Sequence, residues 1–224
     1  MTFSIVARCA QPQMFGVAIA SSSPAVAARC AHARAGIGAV ATQNITDPAL
    51  GPHILGSLAQ GLPARAAMHA ALASTPFADY RQLLVLGMRG PPQVHSGRNV
   101  LGVAGAAMGA DCAAAGNLLG AAEVPAAMLR AFESCGGHLG DRLLEALSAG
   151  LAKGGEAGPI HSAGLLIVRE VSWPIVDLRV DWSEGEPIAE LLDIWGMYKP
   201  QIDAYVGRAV NPGQAPSFGV CGDP

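Results

Sequence analysis

Residues 2–8, TFSIVAR, alternate along the chain, with Thr2, Ser4, Val6 and Arg8 on one side and Phe3, Ile5 and Ala7 on the other. That is the period of a strand and not of a helix. The next run, FGVAIAS (15–21), reads as a second strand, and only CAQPQM separates the two. A connection that short suits a hairpin, so the chain is expected to open with an antiparallel pair. AGIGAVATQ (35–43) reads as a third strand, its glycines suggesting close backbone approach.

Helical stretches come next and arrive in pairs. ITDPALGPHILGSLAQG gives a helix capped by Thr46 or Asp47 and stopped by Gly61, and LPARAAMHAALAS gives another with Pro63 near its start. RQLLVLGM returns to strand, and the glycine-rich stretch 92–118 is extended, with two or three strands ending at AAGNLLG. Helices are expected over 122–134 and 138–153, then strands at SAGLLIVRE and IVDLRVD. A final helix over 187–210 carries Pro200, which kinks or breaks it. Strands and helices in blocks favour an α+β domain, and two antiparallel sheets sandwiched between helical layers would use the blocks well. The 224 residues are read as one domain with an irregular tail over 209–224.

Composition narrows the function classes. Hydrophobic residues at 51% and charged residues at 14% argue for a packed core and against disorder. A net charge of −3 and 5% aromatics, with no basic cluster among them, argue against a nucleic-acid partner. No apolar run has the flanks of a membrane span, and no basic n-region with an apolar h-region is present, so no signal peptide is expected. Five scattered cysteines without a CxxC pair suggest free thiols and a cytoplasmic setting.

Several motifs dissolve on inspection. GIGAVA (36–41) matches a dinucleotide fingerprint as a string, but it looks like the strand itself, and no acidic residue lies between Asp47 and Asp79. The six histidines form no HxxxH or HxH pair, so neither metal nor organic cofactor is expected. There is no GxSxG elbow. Asp177, Arg179 and Asp181 alternate with Val176, Leu178 and Val180, the pattern of a half-exposed strand whose charges pair with one another.

Thr2 stands apart. Were Met1 removed, Thr2 would carry a hydroxyl nucleophile and, in its own α-amine (pKa roughly 7.7–8.0), a base. The plain alternative is a threonine that simply favours a strand. Asn117, in AAAGNLLG, reads either as a turn residue or as an amide N–H for a developing oxyanion.

Taken together, TFSIVAR, GVAIAS, ARAGIGAVATQ, GNLLG, SAGLLIV, VDLRVD followed by PIAEL, and APSFGV resemble the bacterial family known as domain of unknown function 1028, grouped with the N-terminal nucleophile hydrolases. The resemblance runs over essentially the whole chain. It implies a four-layer αββα sandwich and cleavage of a small-molecule amide. Carried over, Thr2 is the nucleophile, Asn117 the oxyanion donor, and Ser21, Thr42 and Gln43 line the same cleft. Departures at Cys9, Ser22 and VAGA (103–106) make the substrate-facing parts more apolar than the family pattern. The rival expectation is a non-catalytic αββα protein, either a small-ligand binder or a structural subunit. The apolar composition and long C-terminal helix suggest a homo-oligomer.

Overall fold

The computed structural model describes residues 1–11 and 13–221. In chain order the elements are β1 (Thr2–Ala10), β2 (Gln13–Ser21), α1 (Val26–Cys30), β3 (Ala31–Arg34), β4 (Gly38–Asn44), α2 (Leu50–Ala59), α3 (Ala64–Ala73), β5 (Arg81–Gly87) and β6 (Gln93–Ser96). They continue with β7 (Gly105–Met108), β8 (Cys112–Asn117), α4 (Val124–Ser134), α5 (Leu139–Ala152), β9 (Ser162–Val168), β10 (Val176–Val180), α6 (Pro187–Tyr198) and α7 (Ile202–Val210).

The strands form two antiparallel sheets, one of six strands in the order β10-β9-β2-β1-β8-β7 and one of four in the order β3-β4-β5-β6. Strand alternation builds the layers. Phe3, Ile5 and Ala7 of β1 face a core shared with Met128 and Phe132 of α4 and Leu143, Leu144 and Leu147 of α5. Val6 of β1, with Phe15 and Val17 of β2, meets Ala39, Ala41, Leu84 and Leu86 across the gap between the sheets. On the far side of the smaller sheet, Val40, Leu83 and Val85 pack on Ile54 of α2 and Met68 of α3. The result is the expected αββα sandwich. Each large aliphatic or aromatic side chain withdrawn in these layers contributes ~1.5–3 kcal/mol.

β1 is interior to its sheet. It pairs with β2 from Phe3↔Ala20 to Ala10↔Gln13 and with β8 from Thr2↔Asn117 to Ala7↔Cys112. Thr2 therefore begins a strand held on both edges.

Two glycines of the supposed fingerprint have separate structural duties. Gly36 takes a positive φ of 68° in the turn between β3 and β4. Gly38 opens β4, where an added Cβ would stand 2.2 Å from the Leu86 carbonyl oxygen of β5. The string is a hairpin turn and its outgoing strand.

Some elements depart from the sequence reading. The short helix α1 and strand β3 were not expected, because VAARC is too short to show a helical period and AHAR alternates over four residues only, with alanine as its apolar member. Asp47 does not cap α2. Its Oδ1 accepts from the N–H of Ala49, the residue immediately before the helix begins at Leu50, at 3.1 Å. Thr46 instead hydrogen-bonds to Thr42. The break at Pro200 is present as a 3₁₀ turn, Lys199–Gln201, between α6 and α7. Helix α7 continues to Val210, so the irregular tail begins later than residue 209. Residues 222–224 of that tail lie outside the described residues. On β10, Arg179 Nε lies 3.8 Å from Asp181 and 4.0 Å from Asp177, as the alternation implied.

Gly38→Ala must push a methyl against the backbone of β5. It is expected to cost ~1–3 kcal/mol of stability, read as a fall in the urea midpoint with an unchanged slope.

Candidate functional site

The residues on β1 on the side of the gap between the sheets are Thr2, Ser4, Val6 and Arg8, and at the start of the strand the first two are polar. At this end of the six-stranded sheet the neighbouring strands add Ser21 of β2, Asn117 of β8 and, beyond β2, Ser162 of β9, which is paired with Ser21. The four side chains form a buried polar row, Ser162–Ser21–Thr2–Asn117, with Thr2 5% exposed and the other three fully covered.

Hydroxyl geometry centres on the peptide bond preceding Thr2. The Thr2 hydroxyl donates to the Met1 carbonyl oxygen, and so does the Ser21 hydroxyl. Thr2 Oγ1 and Ser21 Oγ are 3.4 Å apart. Ser21 Oγ in turn accepts from the Ser23 N–H at 3.0 Å, which orients it. Two hydroxyls thus flank one carbonyl.

Below the row runs a chain of amides between the sheets. Ser4 Oγ donates to Gln43 Oε1 at 2.6 Å, and Gln43 Nε2 donates to Gln82 Oε1 at 2.7 Å. Asn117 Nδ2 donates to the same Gln82 oxygen at 3.2 Å. Gln82 Nε2 is committed to Ser96 Oγ at 2.9 Å and to the Gly116 carbonyl at 3.1 Å. Those two acceptors fix which end of the Gln82 amide faces Asn117. Turning the Asn117 amide over would bring two carbonyl oxygens together. Its Oδ1 is left buried without a partner, so the unmet demand at Asn117 is for a donor.

The structure brings Thr2, Ser21, Asn117 and Gln43 to one region, Gln43 through Ser4. It places Thr42 elsewhere. Adjacent residues of a strand face opposite ways. Thr42 points out of the gap, its hydroxyl 2.9 Å from Thr46 Oγ1 and 3.5 Å from the Arg29 carbonyl. Asn117 Nδ2 gives one of its two N–H groups to Gln82.

Sequence reasoning passed over Gln82 and Glu156. Gln82 sits in a run that reads simply as an apolar strand. Glu156 lies in the glycine-flanked GGEAG, joined by an antiparallel bridge to Leu119, two residues past Asn117. It is 6% exposed, and both its carboxylate oxygens are 3.1 Å from the Ser22 N–H. Burial pushes its carboxyl up to about 7, against the lowering effects of the positive amino terminus, of Ser22 and of His161. The backbone around this end of the sheet is tightly bent. Leu118 takes φ 51° and Ala25 φ 50°, left-handed conformations uncommon for residues with a Cβ. Among the described residues, no group of three His, Cys, Asp or Glu side chains is placed to hold a metal ion. No helix among them is long and apolar enough to cross a membrane.

The raised carboxyl has a measurable consequence. Between its ordinary value of 4.5 and about 7, the folded chain keeps a proton that the unfolded chain has released. Stability from this group is therefore complete below 4.5 and lost as pH rises through 7. The stability of Glu156→Gln relative to the parent is expected to increase across that window and then level off, as read from urea midpoints at a series of pH values.

Comparison with known proteins bears on the whole chain. No curated protein matches it. A crystal structure of a Silicibacter pomeroyi protein assigned to the DUF1028 family superposes with a TM-score of 0.81 at 27% identity, covering 88% of each chain. Two further solved structures are more distant: Thiobacillus denitrificans BPH in complex with epoxomicin (TM-score 0.38, 14% identity, 76% of this chain and 100% of that one) and Anbu, an ancestral beta-subunit, from Yersinia bercovieri (0.37, 11%, 91% and 97%). Those two likenesses are too slight to carry an argument. The model of a family of unknown function, DUF1028, matches residues 2–191, and the chain belongs to that family.

Proposed function

We propose that this chain is an N-terminal nucleophile hydrolase that cleaves a small-molecule amide through Thr2 once Met1 has been removed. The observation that carries the reading is the carbonyl preceding Thr2, which accepts hydrogen bonds from both the Thr2 and Ser21 hydroxyls. With Met1 gone, a substrate carbonyl approaching Thr2 Oγ1 from that side would meet the Thr2 hydroxyl as nucleophile and the Ser21 hydroxyl as donor together.

In the proposed cycle the α-amine of Thr2 takes the hydroxyl proton as Oγ1 bonds to the amide carbon. The oxyanion that forms is held by the Ser21 hydroxyl, with a backbone N–H as the second donor. The C–N bond breaks and the nitrogen leaves with the proton carried by the α-amine. Water, deprotonated by the same amine, then hydrolyses the acyl ester and restores Thr2. Asn117 is assigned to orienting the freed α-amine. It lies directly across the strand pair from Thr2, and its Oδ1 is an acceptor without a partner. Ser4, Gln43 and Gln82 hold Asn117 in place and touch no reacting atom. A cytosolic homo-oligomer belongs to the same reading, supported by the free cysteines and by apolar side chains exposed on α6 and α7, Leu192, Met197 and Tyr205.

The intact mass of protein purified at ordinary expression level tests the first step, and is expected to lack Met1. Retention of Met1 would block the amine and leave a ligand-binding protein as the better reading. In an amide-library screen, Thr2→Ala is expected to lose ~10³-fold or more of kcat. Ser21→Ala is expected to lose ~10²-fold in kcat with KM little changed, as for one oxyanion donor.

A further inference from the structure

Glu156 has no role in the cycle above, yet it is the buried carboxylate nearest to it in the fold. Three contacts seat it at the end of the sheet. The Leu119↔Glu156 bridge, the Ala157 N–H to Leu118 carbonyl bond (2.9 Å) and the Gly120 N–H to Gly155 carbonyl bond (3.0 Å) lay residues 155–157 along the chain just past Asn117. Its carboxylate then reaches across to Ser22, the residue after Ser21. Thr2 is flanked by Asn117 and Ser21, so Glu156 stands one step further out, beside the residue that precedes Thr2.

The bonding of this carboxylate is incomplete. A carboxylate has about four acceptor positions, and among the described residues Ser22 alone supplies its donors, the N–H shared between both oxygens and the side-chain hydroxyl. None of the ion pairs among the described residues includes Glu156. His161 is near in the fold, but its Nδ1 faces the Ser183 carbonyl at 2.8 Å and its ring stacks on Trp182 with centroids 4.3 Å apart. The positive charge that favours its ionised form comes chiefly from the amino terminus, carried here by Met1, the residue whose removal the proposed cycle requires. A covered carboxylate left without that charge is unfavourable, and such groups concentrate where a ligand supplies it. Met1 shows what can fill the space. Its carbonyl sits between the two hydroxyls, and its Cε would lie 3.6 Å from a methyl placed on Gly158, ordinary van der Waals contact.

We propose that Glu156 selects substrates whose acyl group carries an ammonium, so that the preferred substrates are small amides of amino acids or similar aminoacyl compounds. The carbonyl of such a substrate would sit between Thr2 and Ser21, with its ammonium against Glu156 and its side chain toward Gly158. For turnover, though not for binding, this rests on the reading of Thr2 as the nucleophile.

The test separates the two. Thr2→Ala protein, shown by mass to lack Met1, is titrated calorimetrically with L-methioninamide and with 4-(methylsulfanyl)butanamide, the same amide without its ammonium. The ammonium amide is expected to bind about tenfold or more tightly. Glu156→Gln in the same background is expected to bring the two affinities together while leaving that of the neutral amide unchanged, which also shows that the variant is folded. Equal affinities in the Glu156 protein, a preference that survives Glu156→Gln, or no measurable binding of either amide would each overturn the proposal. Parallel assays follow hydrolysis by the Thr2 protein. A binding preference without hydrolysis would leave Glu156 as assigned and refute the hydrolase reading. If Glu156→Gln instead slows both amides by the same factor, Glu156 serves the Thr2 amine rather than the substrate, and the assignment is wrong.

Discussion

The double pairing of β1 is the constraint on which the site depends. Backbone hydrogen bonds to β2 on one edge and β8 on the other fix the register of Thr2 against Asn117 and of Phe3 against Ala20. A slip of one residue on either side would turn Thr2 and Ser4 into the helical core and bring Phe3 and Ile5 into the gap between the sheets. Burial of Phe3 and Ile5 against α4 and α5 opposes that slip, so the apolar face of the strand holds its polar face in position. Hydrophobic packing on one side of β1 thereby determines chemistry on the other.

The polar region between the sheets is built from neutral groups. Ser4, Gln43, Gln82 and Asn117 satisfy one another inside a layer otherwise filled by Val6, Phe15, Leu84 and Leu86. Such a network is costly if half satisfied and specific when complete, because each amide has a donor end and an acceptor end that must match its neighbours. Here the match propagates from Gly116 and Ser96 through Gln82 to Asn117, and ends at one unpartnered oxygen beside the strand that carries Thr2.

Much of this fold was legible in the sequence, and the reasons differ between elements. β1 and the charged strand β10 announced themselves by alternation, and the paired helices by length and apolar content. β3 was not legible, since the only apolar residues of AHAR, Ala31 and Ala33, are too small and too few to mark a strand, and it forms where β4 offers an edge. Thr42 and Gln43 were both assigned to the cleft, yet neighbours in a strand cannot share a face. That rule was available from sequence and would have kept only one of them. Gln82 and Glu156 lacked any local signal. Gln82 enters through the pairing of β4 with β5, where it stands opposite Gln43. Glu156 enters through a single bridge formed by a loop after α5. Both arrive by contacts between segments far apart in the chain, which no spacing rule reports.

The amide chain also has a far end. Gln82 reaches Ser96, which lies on the exposed edge strand β6 while its partner is fully covered. A substitution at Ser96 changes no residue of the interior, yet it removes one of the two acceptors of the Gln82 amide and leaves the Gly116 carbonyl to hold its orientation. Sequence drift at an exterior serine can thus loosen an interior amide without reversing it, giving related chains a route to retune the neighbourhood of Thr2 without disturbing the packed layers around it.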